Sequence, residues 1–257
     1  MFIGEPPPSQ GDLHFRILGF PVRVHPLFWL VSFLLGMRAD EPTEILIWVA
    51  VVFVSILVHE LGHALLQRYY GGHPRITLYS FGGLASCNDC DRSPRSQLAI
   101  LFAGPLAGFL FAGVVMLACN LAGHRAGLAV GQSAAEVASA HEAGAVGLVG
   151  RLYAYFQPFA SPFLSLIVIQ LLFINIVWGL VNLLPVYPLD GGQIARELFS
   201  LRDPRAGIVQ SLQLSFGVAV LLTAYFLLNQ QYYTGAMFGY LAYSNFQTLQ
   251  MYQNHWR

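Results

Sequence analysis

The chain has 257 residues, no Lys, and 13 Arg balanced by 13 acidic residues. Charged residues are 10% and hydrophobic residues 56% of the total, where an average soluble domain is roughly 25% charged. That excludes a soluble globule, which needs polar side chains to dress its surface, and a disordered chain, which is rich in charge; zero net charge without basic clusters argues against a nucleic-acid partner. An integral membrane protein remains.

Residues 1–10 carry Pro6, Pro7 and Pro8 and no basic stretch, so they are not expected to be a cleaved signal peptide. Residues 15–24 alternate apolar and polar around Gly19 and Pro21 and read as short strands or an interfacial segment. Residues 26–37 are apolar but short for a crossing, which needs about 20 residues, and are taken as a span that borrows its flanks. Residues 44–68 are a strong span. Residues 73–95 hold an alternating stretch from Arg75 to Phe81 followed by Gly82 and Gly83, a strand and turn at the membrane edge. Residues 97–122, 162–184 and 208–228 are further spans, and 232–251 is a marginal one with Asn245 and Gln247 inside it. In the loop 123–161, Val149, Leu152, Tyr153 and Phe156 recur at helical spacing and suggest an interfacial amphipathic helix.

The expected fold is therefore an all-α polytopic membrane protein of about six transmembrane helices with a small membrane-edge β element. It forms one domain over residues 1–257, with an interfacial segment over 1–25, core spans over 44–200 and an extracytoplasmic loop over 123–161. With the termini in the cytoplasm, only Arg38, Arg125 and Arg151 of the 13 Arg fall outside, which is the bias the positive-inside rule asks for. A multi-pass protein of the cell membrane is expected. Its termini and the inner end of its second span face the cytoplasm.

That inner end carries His59-Glu60-Leu61-Gly62-His63, an H-E-x-x-H. Residues four apart share a helix face, so His59 and His63 can bind one metal ion. Glu60 sits beside them and can take a proton from a water that zinc has made acidic. Two imidazoles and a carboxylate used for packing are the bland alternative, but ionisable groups in a membrane span are costly and usually functional. From Ile45, 14 steps of helix place His59 about 21 Å along a ~30 Å hydrocarbon core. A polar cavity must bring water there.

A catalytic zinc needs a third protein ligand and an open position. The candidate is Asp190, in Asn182-Leu183-Leu184-Pro185-Val186-Tyr187-Pro188-Leu189-Asp190-Gly191-Gly192. Two prolines break the span, and irregular backbone at membrane depth is tolerated only where protein or water covers it. Asn182 can donate its amide to a developing oxyanion or serve helix packing. Asn175, seven residues earlier on the same face, reads as packing. Cys87 and Cys90 form a lone C-x-x-C, a weak sign of a zinc or redox site. Cys119 reads as packing. His25, His73, His124, His141 and His255 carry no assigned role, and His73 in the strand loop is the first to test.

These motifs resemble the site-2 protease family of intramembrane zinc metalloproteases. The carrying residues are His59–His63 and Asn182 to Gly192, supported by Phe81-Gly82-Gly83, by Ala103-Gly104-Pro105-Leu106-Ala107 and by Val24-His25-Pro26. The resemblance implies one Zn2+ per chain held by His59, His63 and Asp190, with Glu60 activating water and Asn182 near the scissile carbonyl. It implies cleavage of a single-span or membrane-anchored protein within the bilayer, as in regulated intramembrane proteolysis. It also implies that an unwound substrate adds to the strand element, where Ile76, Leu78, Gly82 and Gly83 are the candidate contacts. Gly108 stands where many members carry Asn, and Gly104-x-x-x-Gly108 favours close helix packing instead. Loop 123–161 is too short for a PDZ or CBS domain, so a compact member is expected. A metal-binding transporter or a non-proteolytic binding relative is the competing class. The first lacks an inverted repeat, and the second is opposed by the intact His59, Glu60, His63 and Asp190. No serine-type G-x-S-G or aspartyl G-x-G-D motif is present.

Overall fold

The computed structural model describes residues 6–37, 41–80 and 82–254. Arg38, Phe81 and His255 lie outside the described residues, as do residues 1–5. The chain forms two compact units, Met1–Asp91 with Ala103–Leu180, and Arg92–Phe102 with Val181–Arg257.

In the first unit, β1 (Leu13–Ile17) and β2 (Phe20–Val24) form a hairpin whose turn places Leu18 and Gly19 at φ 50° and 85°. Positive φ at both turn positions matches the twist of two-residue hairpins. The apolar half of the alternation, Phe20, Val22 and Val24, is buried. A short helix α1 (Pro26–Gly36) follows, with His25 as N-cap and Pro at its first position. Then comes α2 (Pro42–Tyr69), 28 residues long. β3 (Arg75–Tyr79) and β4 (Gly82–Ser86) form a second hairpin, and β3 pairs in parallel with β2. The four strands make one sheet in the order β1-β2-β3-β4. Its inner face packs Val22, Val24, Ile76 and Leu78 against Val52, Ile56 and Leu61 of α2. The β element is thus larger than the sequence suggests, because the N-terminal strands and the loop hairpin are one sheet.

Helix α3 (Pro94–Leu121) contains Pro105. Its exposed Leu106, Leu110, Val114, Leu117 and Leu121 recur every three to four residues, the stripe a helix turns toward lipid. The loop beyond it is a second sheet. β5 (Ala126–Val130), β6 (Gly144–Val149) and β7 (Leu152–Phe156) assemble in the order β5-β7-β6, with a helix α4 (Ala134–His141) between β5 and β6. The amphipathic helix expected over Val149, Leu152, Tyr153 and Phe156 is not formed. Val149 instead pairs with Leu152 across a turn in which Gly150 has φ 57°. The aromatic run Leu-Tyr-Ala-Tyr-Phe suits a strand better than a helix, and alternation buries Ala154 and Phe156 together. Helix α5 (Pro162–Phe173) then runs through a π-helical turn, Ile174–Trp178, into α6 (Gly179–Asn182).

The second unit holds α7 (Asp190–Ser200), α8 (Pro204–Leu228) and α9 (Tyr232–Asn254). Asp203 caps α8 by accepting from the backbone N–H groups of Arg205 and Ala206 at 2.9 and 3.1 Å. Those bonds, Ala206 first, hold its carboxyl below the usual carboxylate range.

Among the described residues, four helical stretches are long and apolar enough to cross a membrane: Pro42–Tyr69, Pro94–Leu121, Pro162–Asn182 and Pro204–Leu228. The expected count was six. Helix α1 has 11 residues, about 16 Å of helix against a ~30 Å core. Helix α9 is long enough, but Thr234, Ser244, Asn245, Gln247 and Thr248 dilute its apolar content. The result is a mostly helical membrane protein with two small sheets.

Candidate metal centre

His59, Glu60 and His63 lie in the buried stretch of α2, exposed by 6%, 4% and 7%. Their i, i+4 spacing turns both imidazoles to one face, edge to face at 79°, with Nε2 to Nε2 3.1 Å. Tetrahedral zinc with bonds of about 2.0–2.1 Å holds two nitrogens about 3.3 Å apart. The pair therefore already stands at nearly the separation one ion requires.

Glycines bring main chain up to these side chains. At Gly62 a Cβ would strike the carbonyl of Ala103, so α2 and α3 meet backbone to backbone. At Gly104 it would strike the His63 imidazole and stand 2.8 Å from Nε2 of His59. This is a cradle that any side chain would fill. Gly108 lies against the Asn175 carbonyl, 3.2 Å from a Cβ placed there, as close packing through Gly-x-x-x-Gly requires. Asn175 donates to Ser55 Oγ and to the Leu171 carbonyl, each at 2.9 Å. It is a packing residue, as its position suggested.

β4 is an outer strand of its sheet among the described residues, and Gly83 on it runs over Glu60. A Cβ at Gly83 would lie 2.7 Å from the Glu60 carboxyl carbon and from Oε1. At Gly82 the space is open. Ile76 and Leu78 sit differently: β3 is paired on both sides, and their side chains, 1% and 0% exposed, fill the core. Of the four strand positions expected to contact substrate, only Gly82 and Gly83 lie on an outer strand.

In the second unit, Asn182 closes α6 and Asp190 opens α7, both buried at 7% exposure. Between them the chain turns through Val186 N–H to Leu184 O at 2.7 Å, Leu189 N–H to Val186 O at 2.9 Å, and a cis Tyr187–Pro188 bond. Gly191 and Gly192 pack directly on the main chain of Leu183, Leu184, Val186 and Tyr187. The broken segment is pinned at Tyr187, whose N–H donates to Ser215 Oγ of α8 at 3.1 Å and whose carbonyl accepts from Asn245 of α9 at 2.6 Å. Sequence reasoning gave these two residues no role. The polar residues inside otherwise apolar helices were the available signal. Asp190 thus presents a buried carboxylate at the start of α7, the donor type that completes a zinc set begun by two imidazoles.

The model of Peptidase family M50 matches residues 47–224, a stretch that includes the H-E-x-x-H, Asn182 and Asp190. The chain belongs to peptidase family M50. It is 27% identical over 192 residues to a zinc metalloprotease of Methanocaldococcus jannaschii, covering 72% of this chain and 44% of that protein. It is 27% identical over 186 residues to stage IV sporulation protein FB of Bacillus subtilis, covering 71% and 49%. The chain thus spans less than half the length of these curated M50 relatives. The solved site-2 protease from Methanocaldococcus jannaschii aligns over 93% of this chain and 95% of that one, with TM-score 0.57 and 21% identity. At that identity the likeness speaks for the fold.

Among the described residues, the remaining histidines of this M50 chain have local partners. His25 Nδ1 accepts from Leu27 N–H at 3.1 Å as the cap of α1. His124 lies tilted against Phe159 and His141 stacks on Tyr155, each at 3.9 Å between centroids. His73 pairs with Asp89 at 2.6 Å, and Cys87 is disulfide-bonded to Cys90. Cys119 is free and buried, as expected of a packing residue.

Proposed function

We propose that the chain is an intramembrane zinc endopeptidase that hydrolyses a peptide bond in or near a substrate's transmembrane helix. The observation that carries this is the buried His59–Glu60–His63 face on a 28-residue apolar helix. Hydrocarbon makes such groups costly unless they work.

His59, His63 and Asp190 are the residues that would hold one zinc ion. When bound, zinc would supply Lewis acidity for activating water and a carbonyl. Glu60 takes the proton of the attacking water and passes it to the leaving nitrogen. The Asn182 amide donates to the oxyanion that develops on the carbonyl oxygen. β4 offers an outer strand on which an unwound substrate segment pairs, with Gly83 bringing that segment's partner strand over Glu60. The substrate is a single-span or membrane-anchored protein, cleaved as a step of regulated proteolysis. The termini and the active-site end face the cytoplasm, in accord with the Arg bias. Helices α1 and α9 complete six membrane-embedded helices with the four long ones.

The test is proteomics of membrane stubs in cells carrying wild type or Glu60→Gln. Accumulation of one single-span fragment with the variant supports the reading and names the substrate. No difference between the two strains opposes it. Asp190→Ala should lower zinc content, and a full zinc complement in that variant would remove Asp190 from the ligand set.

A further inference from the structure

The loop that joins β4 to α3 curls back on the end of α2 and gathers a second set of donors. Cys87 Sγ, Cys90 Sγ and an Asp89 carboxylate oxygen lie within 4.8 Å of one another. The cluster is built into the main chain around it. A Cβ on Gly72 would strike both sulfurs, so the sulfurs sit directly on the backbone just beyond α2. The Asp89 carboxylate is gripped at both oxygens: Oδ1 accepts from His73 N–H at 2.9 Å, and Oδ2 faces His73 Nδ1 at 2.6 Å. Each sulfur also faces an oxygen, Cys87 Sγ with Asp89 Oδ1 at 3.2 Å and Cys90 Sγ with the Gln67 carbonyl at 3.6 Å. A disulfide has no S–H to bond either oxygen. A dithiol does, and a dithiolate beside a carboxylate is a metal-ligand set.

We propose that Cys87, Cys90 and Asp89 form a second divalent-metal site, specific for a thiophilic ion such as Zn2+ and open only when the cysteines are reduced. Cys-x-x-Cys supplies two thiolates from one turn, as zinc knuckles do. Asp89 supplies the third donor. His73 is a positioning residue: its ring and backbone N–H fix the carboxylate, as partners behind metal ligands do. The exposed position of Asp89 leaves the fourth place to solvent, so the site exchanges its ion readily. Opening it takes two molecules of a low-molecular-weight thiol. The Cys87–Cys90 bond gains two electrons and two protons, and the thiols leave as their disulfide. Metal binding then releases the two thiol protons.

The test is zinc stoichiometry of the full chain in detergent, before and after a phosphine reductant, by elemental analysis. Wild type should hold one zinc when oxidised and two when reduced. The Cys87→Ser/Cys90→Ser variant should hold one in both states. A His59→Ala/His63→Ala variant isolates the new site: it should bind one Co2+ on reduction, with a thiolate-to-cobalt band in the near ultraviolet, and none when oxidised. His73→Ala should weaken that cobalt binding about 10- to 100-fold while the band persists at saturation. Reduced wild type that holds a single zinc, or cobalt bound without a thiolate band, overturns the proposal and leaves the pair as a staple. Because the cobalt experiment is done without His59 and His63, its outcome is independent of the protease reading.

Discussion

Gly104→Ala is the sharpest structural perturbation of the metal centre. The new methyl would lie 2.8 Å from Nε2 of His59 and in collision with the His63 ring. Carbon and nitrogen in ordinary contact stand about 3.5 Å apart, so His59 alone must retreat by more than about half an ångström. Zinc ligation tolerates about 0.2 Å. The imidazoles cannot both yield and still face each other near 3.1 Å. We expect zinc affinity to fall at least 10- to 100-fold, the loss seen when a ligand's support is removed. That is about 1.4–2.8 kcal/mol. Helix propensity works in the opposite direction, since Gly→Ala in a helix interior adds up to about 1 kcal/mol of stability. A loss of zinc therefore cannot be blamed on a weaker helix. The assay is chelator competition on the oxidised chain, with thermal unfolding in parallel. Gly113→Ala is the control on the same helix, because its Cβ would meet nothing within 4 Å. Wild-type zinc affinity in Gly104→Ala would refute the cradle and the site built on it.

Gly83→Ala should leave zinc bound and cut turnover, because its methyl presses on the Glu60 carboxyl and not on the imidazoles; loss of zinc with it would misplace Glu60. Asn245→Ala removes the bond to the Tyr187 carbonyl at 2.6 Å and should cost about 1–2 kcal/mol of stability, with weaker zinc binding if the pinned segment presents Asp190. Unchanged melting and zinc affinity would make that bond incidental. Asp203 has its folded-state carboxyl held low by the Ala206 and Arg205 amides. Its capping contribution is complete above the ordinary carboxylate range, about pH 4, and is lost as pH falls through the depressed folded value. Hydrogen exchange at Ala206 should accelerate in that acid window in wild type and not in Asp203→Asn. An equal acid response in both would assign the effect elsewhere.

What could be read from the sequence was whatever is local. His59 and His63 are four residues apart on one helix, so their shared face follows from helical geometry alone, and Glu60 is next to His59 in the chain. The break before Asp190 is announced by Pro185 and Pro188, and the strand alternation of Phe20, Val22 and Val24 by period-2 burial. Leu152, Tyr153 and Phe156 went astray because a short apolar run fits a helix and a strand equally until its partner is known. One partner, β5, lies more than twenty residues away, and the other, β6, is announced only by the turn at Gly150. The same holds for Gly83 and Gly104. Nothing beside either glycine in sequence says that one will lie on Glu60 and the other on His63. Ser215 and Asn245 were visible only as polar residues in apolar helices, and their common target, Tyr187, is 28 and 58 residues off.

On the proposed mechanism Glu60 moves the proton while other residues hold the ion. Glu60→Gln in the oxidised, purified chain tests it directly, with zinc content and cleavage of a single-span substrate measured on one preparation. One zinc per chain is expected, with a loss of turnover of at least about 100-fold, the scale of a positioned general base. Turnover near wild type with zinc in place, or zinc lost together with turnover, would contradict it.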